Sequence, residues 1–597
     1  MEVVLGIPSV LKNILRFMGT PFIAHTCRLV NSDWNHESCR ILQERIPINF
    51  TTCDQLVHYC NTFETTIEGT SIGFNSFRFS SDLMVSAIQD RAFGALRRLH
   101  IALERFVKIC GERVANLEVT LYSIYPLEDD AMRTSTVLMH EQLIKMIYSS
   151  FPNVAHLKVL FLMSYAKEVS EDFDIHTFMK PWASIKLPNI ERLTVEVAVR
   201  EDGNIDSHTG SEQIITTFMK VILSSAVNLK SFSSSNLPIG KEKIIQDCIL
   251  YNFVQISPSL RDLNLVFRIN TDEEMGTLCS KHFSNLQNLR LEIGSKNVTP
   301  DALRDFFAHY SKSVRFLSIR FMDATHSSFV YPTLPLGICL GHLSSLDLEQ
   351  YNGSLNYQLL PKLENLTVEH SRIKGILSSI LLHQHNVNVL TNEGELSNVS
   401  FRQLTIGPGC KIQNDNGKST PSTEEFIARV VPCFSHLSSL KVLNFTLPLP
   451  LVFKHCTSLK ALSVLKCGGV TDLVISGISQ RLLEAMSSLD FGQLTVLFTE
   501  KDEKVLSRKP ELNEFLDSLK NRNGFREAAF IGCLSGLQFL EIEGEISDKG
   551  VLYGIIHCKR LKTLKLHTNL ISWRGQRVIQ STLKDILRFE VVARRNN

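Results

Sequence analysis

The sequence predicts an α/β fold, a solenoid of short parallel strands with outer helices, preceded by a small all-helical module. Three observations carry that expectation. An L-x-x-L-x-L spacing, with Leu, Ile, Val or Phe at the apolar places, recurs from about residue 110 onward. Its mean interval is about 32 residues, inside the range of solenoid repeats. Short polar turns precede many copies, whereas the N-terminal stretch carries a helical apolar stripe instead.

In chain order, the first element is that stripe. Ile7, Leu11, Ile14, Leu15 and Met18 fall on one helical face, and Pro8 favours a helix start. Gly19, Thr20 and Pro21 break the helix, and a second stretch carries Phe22, Ile23, Cys27, Val30 and Trp34. On the residues alone, two such helices could also cap the first repeat of a solenoid. The pairing of Ile7-Pro8, an Ile/Leu-rich first helix, and Val30 followed by Trp34 resembles the F-box family. That resemblance implies a module over 1–45 that docks a Skp-family adaptor through Ile7, Pro8, Leu11, Ile14, Leu15, Val30 and Trp34.

Residues 46–110 carry helical signals at 54–63 and 92–110 and read as a helical linker or a divergent first repeat. Over 111–597 the hexads begin at Val114, Val154, Ile190, Leu229, Leu260, Leu286, Val314, Leu343, Leu363, Phe401, Leu440, Leu459, Phe491, Leu537 and Leu561. Lead-ins such as FPNV at 151, LPNI at 187 and CTSL at 456 supply the turn into each strand. Alternating apolar residues bury one strand face, and Ser or Thr with Asp starts the next helix, as at Thr471-Asp472 and Ser547-Asp548. One repeat cannot bury its apolar face, so neighbours supply the core and stacking makes a horseshoe. The run from Cys456 to Cys467, leading into Thr471-Asp472, and the segments at Leu537 and Cys558 resemble cysteine-containing leucine-rich repeats. The stretch from Gly407 to Ser422 reads as the longest exposed insertion.

Composition narrows the function. Sixty-three Lys plus Arg against 61 Asp plus Glu leave a charge of +2, which gives no overall positive field for nucleic acid. No apolar run approaches the roughly 18 residues of a membrane helix, and the only charge before the N-terminal apolar run is Glu2, where a secretory signal wants Lys or Arg. Fourteen scattered cysteines without a CxxC pair read as free thiols of a reducing compartment, cytoplasmic or nuclear. Gly417-Lys418-Ser419 lacks the first glycine of a phosphate loop, and neither Cys53, His58 and Cys60 nor His383 and His385 make a zinc ligand set. No hydrolase or dinucleotide motif appears, so the chain is expected to be non-catalytic, without metal or cofactor.

The alternate places of each hexad should line the concave face. They hold the acids Glu118, Glu196, Asp262, Glu292, Asp347, Glu349, Glu369, Glu541 and Glu543 and fewer bases, among them Lys158, Arg192, Arg290, Arg320 and Lys565. A weakly acidic face selecting a basic partner follows. The patch of Phe539, Glu541, Glu543, Lys565 and His567 is the favoured contact, an aromatic ringed by charge. With the F-box resemblance, the implied function is the substrate receptor of a Skp-cullin-F-box ubiquitin ligase, holding an unknown protein target. The alternative is a repeat scaffold that binds proteins and recruits no ligase.

Overall fold

A computed structural model describes residues 26–30, 32–66, 74–80, 93–122, 144–163, 185–199, 209–235, 259–280, 285–294, 298–322, 332–381, 402–410, 423–478 and 529–593, with 11, 15, 18, 20, 23, 83 and 246 singly. The chain forms two compact units, one of 1–268 with 277–290, the other of 269–276 with 291–597. Each is a stack of strand and helix repeats.

In the first unit the strands are β1 (Ile48–Phe50), β2 (Ser76–Phe79), β3 (Asn116–Tyr122), β4 (His156–Met163), β5 (Arg192–Val199), β6 (Ser231–Ser235) and β7 (Asp262–Ile269). Each pairs in parallel with the next. Their helices are α1 (Ser32–Arg45), α2 (Cys53–Thr66), α3 (Phe93–Cys110) and α4 (Thr209–Ser225). Thus 46–110 holds α2 and α3 and also two strands in register with β3. A ring cluster fills the core there, with Phe106 of α3 edge-on to Phe77 at 5.0 Å and to Phe79 at 5.4 Å. Such edge-to-face pairs add about 0.5–1.5 kcal/mol each to the burial of their rings.

Next in sequence come α5 (Asp272–Ser280) and β8 (Asn288–Gly294), whose residues are divided between the two units, and α6 (Pro300–Tyr310) of the second unit. The second unit continues with β9 (Phe316–Met322), β10 (Ser345–Glu349), β11 (Asn365–Glu369), β12 (Gln403–Ile406), α7 (Thr423–Val430), β13 (Ser439–Leu443), α8 (Leu449–His455), β14 (Ala461–Leu465) and α9 (Asp472–Ser476). It closes with β15 (Phe539–Glu543), α10 (Asp548–Tyr553), β16 (Thr563–His567), α11 (Trp573–Thr582) and β17 (Arg588–Val592). Strands β9 to β17 again pair in parallel and in order. The hexad of β13 starts at Leu437, not Leu440: Leu437, Leu440 and Val442 are buried, while Leu443 is half-exposed. Of the stretch from Gly407 to Ser422 read as an exposed insertion, Gly407 and Cys410 are buried, while residues 411–422, like Phe491, His383 and His385, lie outside the described residues.

Two side-chain ladders explain the recurring turns. In the first unit three lead-in asparagines donate to a carbonyl of the preceding turn: Asn153 to Glu112 at 2.7 Å, Asn189 to Pro152 at 2.5 Å and Asn228 to Pro188 at 2.9 Å. Ser344 and Ser438 do the same in the second unit, to Arg315 and Arg402. Helix starts form the other ladder. The Thr299 amide and hydroxyl donate to the Asp272 carboxylate at 2.7 and 2.9 Å, those of Ser547 donate to Asp472, and those of Ser572 to Asp548. The Ser/Thr caps its own helix while the carboxylate at the start of the previous helix fixes the cap, so consecutive repeats are locked at one end. Gly550 and Gly575 sit against these carboxylates, where a Cβ would collide with Asp472 and Asp548.

Candidate functional site

Because odd and even strand residues face opposite ways, each ladder has one sealed face and one open face. In the first unit the open face carries a row of charge. Arg78, Glu118 and Lys158 are register neighbours on β2, β3 and β4. Arg78 Nε lies 2.6 Å from Glu118 Oε2, and Lys158 Nζ lies 3.4 Å from Glu118 Oε1 and 2.9 Å from Glu196 Oε2. Burial disfavours the Lys158 ammonium, but the hydrogen bonds and charges of Glu196 and Glu118 outweigh it and raise its pKa above the ordinary lysine value.

Beside this row lies a groove of about 510 Å³, with Asn116, Glu118, His156, Lys158, Arg192 and Thr194 on its wall. Asn116, His156 and Arg192 are register neighbours at the first position of β3, β4 and β5. Arg192 is exposed, and among the described residues it makes no hydrogen bond or ion pair. Half-burial, aided by the Arg192 charge, lowers the His156 pKa, so its imidazole is neutral at neutral pH. The groove therefore offers a cation with no hydrogen bond or ion pair among the described residues, a neutral imidazole and two small polar side chains. That set suits a carboxylate presented by a bound segment.

In the second unit, Arg320 of β9 reaches Glu292 and Glu349, each at 3.3 Å. The C-terminal patch assembles on β15 and β16 as neighbours: Glu541 faces Lys565, and Glu543 faces His567. Glu541 accepts from the Ser463 hydroxyl at 2.9 Å and lies 3.8 Å from Lys565 Nζ and 3.6 Å from His567 Nε2. Glu543 accepts from the Lys466 amide at 3.0 Å, and Phe539 is half-buried beside them. So Glu118, Glu196, Glu292, Glu349 and Glu541, acids that looked dominant in the composition of this face, each have a cation within 4 Å, and Arg78 on β2 is the base that the hexad pattern did not reveal.

The N-terminal module has its own small core. Leu11 and Leu15 are 1% and 0% exposed and pack with Ile23, Cys27, Ile41 and Leu42, against which Met18 and Trp34 rest. Val30 is 55% exposed and its neighbour Leu29, which the stripe did not single out, is 83% exposed. Ile7, Pro8 and Ile14 lie outside the described residues.

Among the described residues no three His, Cys, Asp or Glu side chains gather as a metal site, and no helix is long and apolar enough to cross a membrane. Cys53 and Cys60 lie on α2, and burial pushes the Cys60 thiol up to about 11. No family model matches the chain, and no curated protein is similar to it. Among solved structures, a leucine-rich-repeat protein of Leptospira interrogans is similar at 14% identity and a TM-score of 0.31, over 82% of this chain and 98% of that one.

Proposed function

We propose that this chain is a non-catalytic, leucine-rich-repeat protein-binding scaffold whose partner lies along the open strand face and is anchored in the groove across β3, β4 and β5. The observation that carries the reading is Arg192, a solvent-facing cation that makes no hydrogen bond or ion pair among the described residues, on the wall of a groove in which Glu118 and Lys158 are paired. An acidic side chain of the partner would complete the row. The test is affinity capture with the wild-type chain and with Arg192→Glu, whose thermal unfolding should match the wild type. Partners retained by the first and lost by the second support the reading; an unchanged set contradicts it.

A second reading rests on Leu29 and Val30. Both are exposed at the surface of the N-terminal module, and an apolar pair so placed suits a protein partner. Docking a Skp-family adaptor there would join the chain to a cullin scaffold. The open strand face would then hold a target for ubiquitination, in the cytoplasm or nucleus. Co-purification of the adaptor with the wild type, and its loss in Leu29→Asp with Val30→Asp, supports this reading. Absence of the adaptor from the folded wild type leaves the scaffold without a ligase.

A further inference from the structure

Strand β17 differs from every other strand of its ladder. Its inward places match those of β16, with Phe589 beside Leu564 and Val591 beside Leu566. Yet Leu564 and Leu566 are sealed, whereas Phe589 and Val591 are only half-buried. Leu587, just before the strand, is 84% exposed, and Leu570 and Trp573 of the same repeat also stand in solvent. Only β16 pairs with β17 among the described residues. A natural edge is usually protected by proline, a bulge, charged side chains, a short strand or a covering element. Here the strand has no proline, and its two charges are opposite and bonded to each other, Arg588 Nε to Glu590 Oε1 at 2.7 Å.

The sequence of this edge is complementary to itself. An antiparallel pair about a two-fold axis through Phe589 sets Leu587 against Val591 of the second copy, Arg588 against Glu590, and Phe589 against Phe589. Apolar residues then meet apolar ones on the inward side, and opposite charges meet on the open side. Shifting the axis to Glu590 sets Glu590 against Glu590 and Arg588 against Val592, while a one-residue slip sends inward residues to the open face. Only the Phe589 axis satisfies both faces. We infer that β17 is a self-association edge, pairing two copies of this chain antiparallel about Phe589.

The edge is testable by charge exchange in the full chain. Sedimentation equilibrium across a concentration series should show the wild type passing from monomer to dimer. Arg588→Glu alone and Glu590→Arg alone each put like charges opposite one another twice, and dimerisation should weaken about tenfold or more. The double exchange, Arg588→Glu with Glu590→Arg, restores opposite pairs and should restore the dimer. So should an equimolar mixture of the two single variants, which would form a mixed dimer. A wild type that stays monomeric overturns the inference. So does a dimer indifferent to the single exchanges, or one that neither the double variant nor the mixture recovers.

Discussion

At the scale of single residues, burial decides which chemistry is available. Cys456 and Cys558 occupy corresponding places in two repeats, and desolvation pushes both thiols up to about 12, so neither carries appreciable thiolate at neutral pH. Cys339 and Cys533 are exposed. Labelling of the native chain with an alkylating reagent, read by mass spectrometry, should modify Cys339 and Cys533 and spare Cys456 and Cys558; equal labelling would show that the repeats are open. Asp472 gives a pH signature. Its burial outweighs the hydrogen bonds from Ser547 and Gly550 and the charge of Lys549, and raises its carboxyl above the ordinary value. The folded state then holds this proton more tightly than the unfolded state does. Its contribution to stability is fullest below the unfolded-state value and is lost as pH rises through the raised one. Urea unfolding of wild type and Asp472→Asn across the acid range should show the wild type losing stability relative to the variant over that window; parallel curves would refute the assignment. The Ser-Asp helix starts were legible in the sequence because capping is local. That each aspartate reaches the next repeat's cap was not, since the partners lie 75 residues apart in one case.

At the scale of elements, the hexad spacing marks strands well where Leu, Ile or Val fill the apolar places and poorly elsewhere. Strands β2 and β17 do fit the hexad, through Phe74, Phe77 and Phe79 and through Ile586, Phe589 and Val591, but they lie at the ends of the run, outside the hexads from Val114 to Leu561, and β1 has only three residues. At β13 two overlapping hexads exist, and packing selected the earlier one. The N-terminal helices show the opposite limit. A helical stripe reports that a face is apolar but not what covers it, and for Leu11 and Leu15 the cover is the module itself. Leu11→Asp with Leu15→Asp should therefore unfold the module, because two uncompensated carboxylates in a small apolar core cost several kcal/mol. Leu29→Asp with Val30→Asp should leave it intact. Amide exchange over α1 separates the outcomes: protection lost in the first pair and kept in the second is expected, and protection kept in both would place Leu11 and Leu15 on the surface instead.

For the whole molecule, the repeat architecture followed from periodicity, but the electrostatics of its open face did not. Counting residue types gave an acidic surface; strand pairing sets Arg78, Lys158 and Arg320 beside four of those acids, Glu118, Glu196, Glu292 and Glu349. On this face of the first unit, Arg192 makes no hydrogen bond or ion pair among the described residues, and the groove lies at its side. The proposal that a partner occupies this face is tested most directly by a photo-crosslinking residue at Thr194, in the groove wall, against one at Glu104, on the solvent side of α3. Partner adducts formed from Thr194, absent from Glu104, and abolished by Arg192→Glu are the expected result. Adducts from Glu104 alone, or adducts at Thr194 that survive Arg192→Glu, would contradict it.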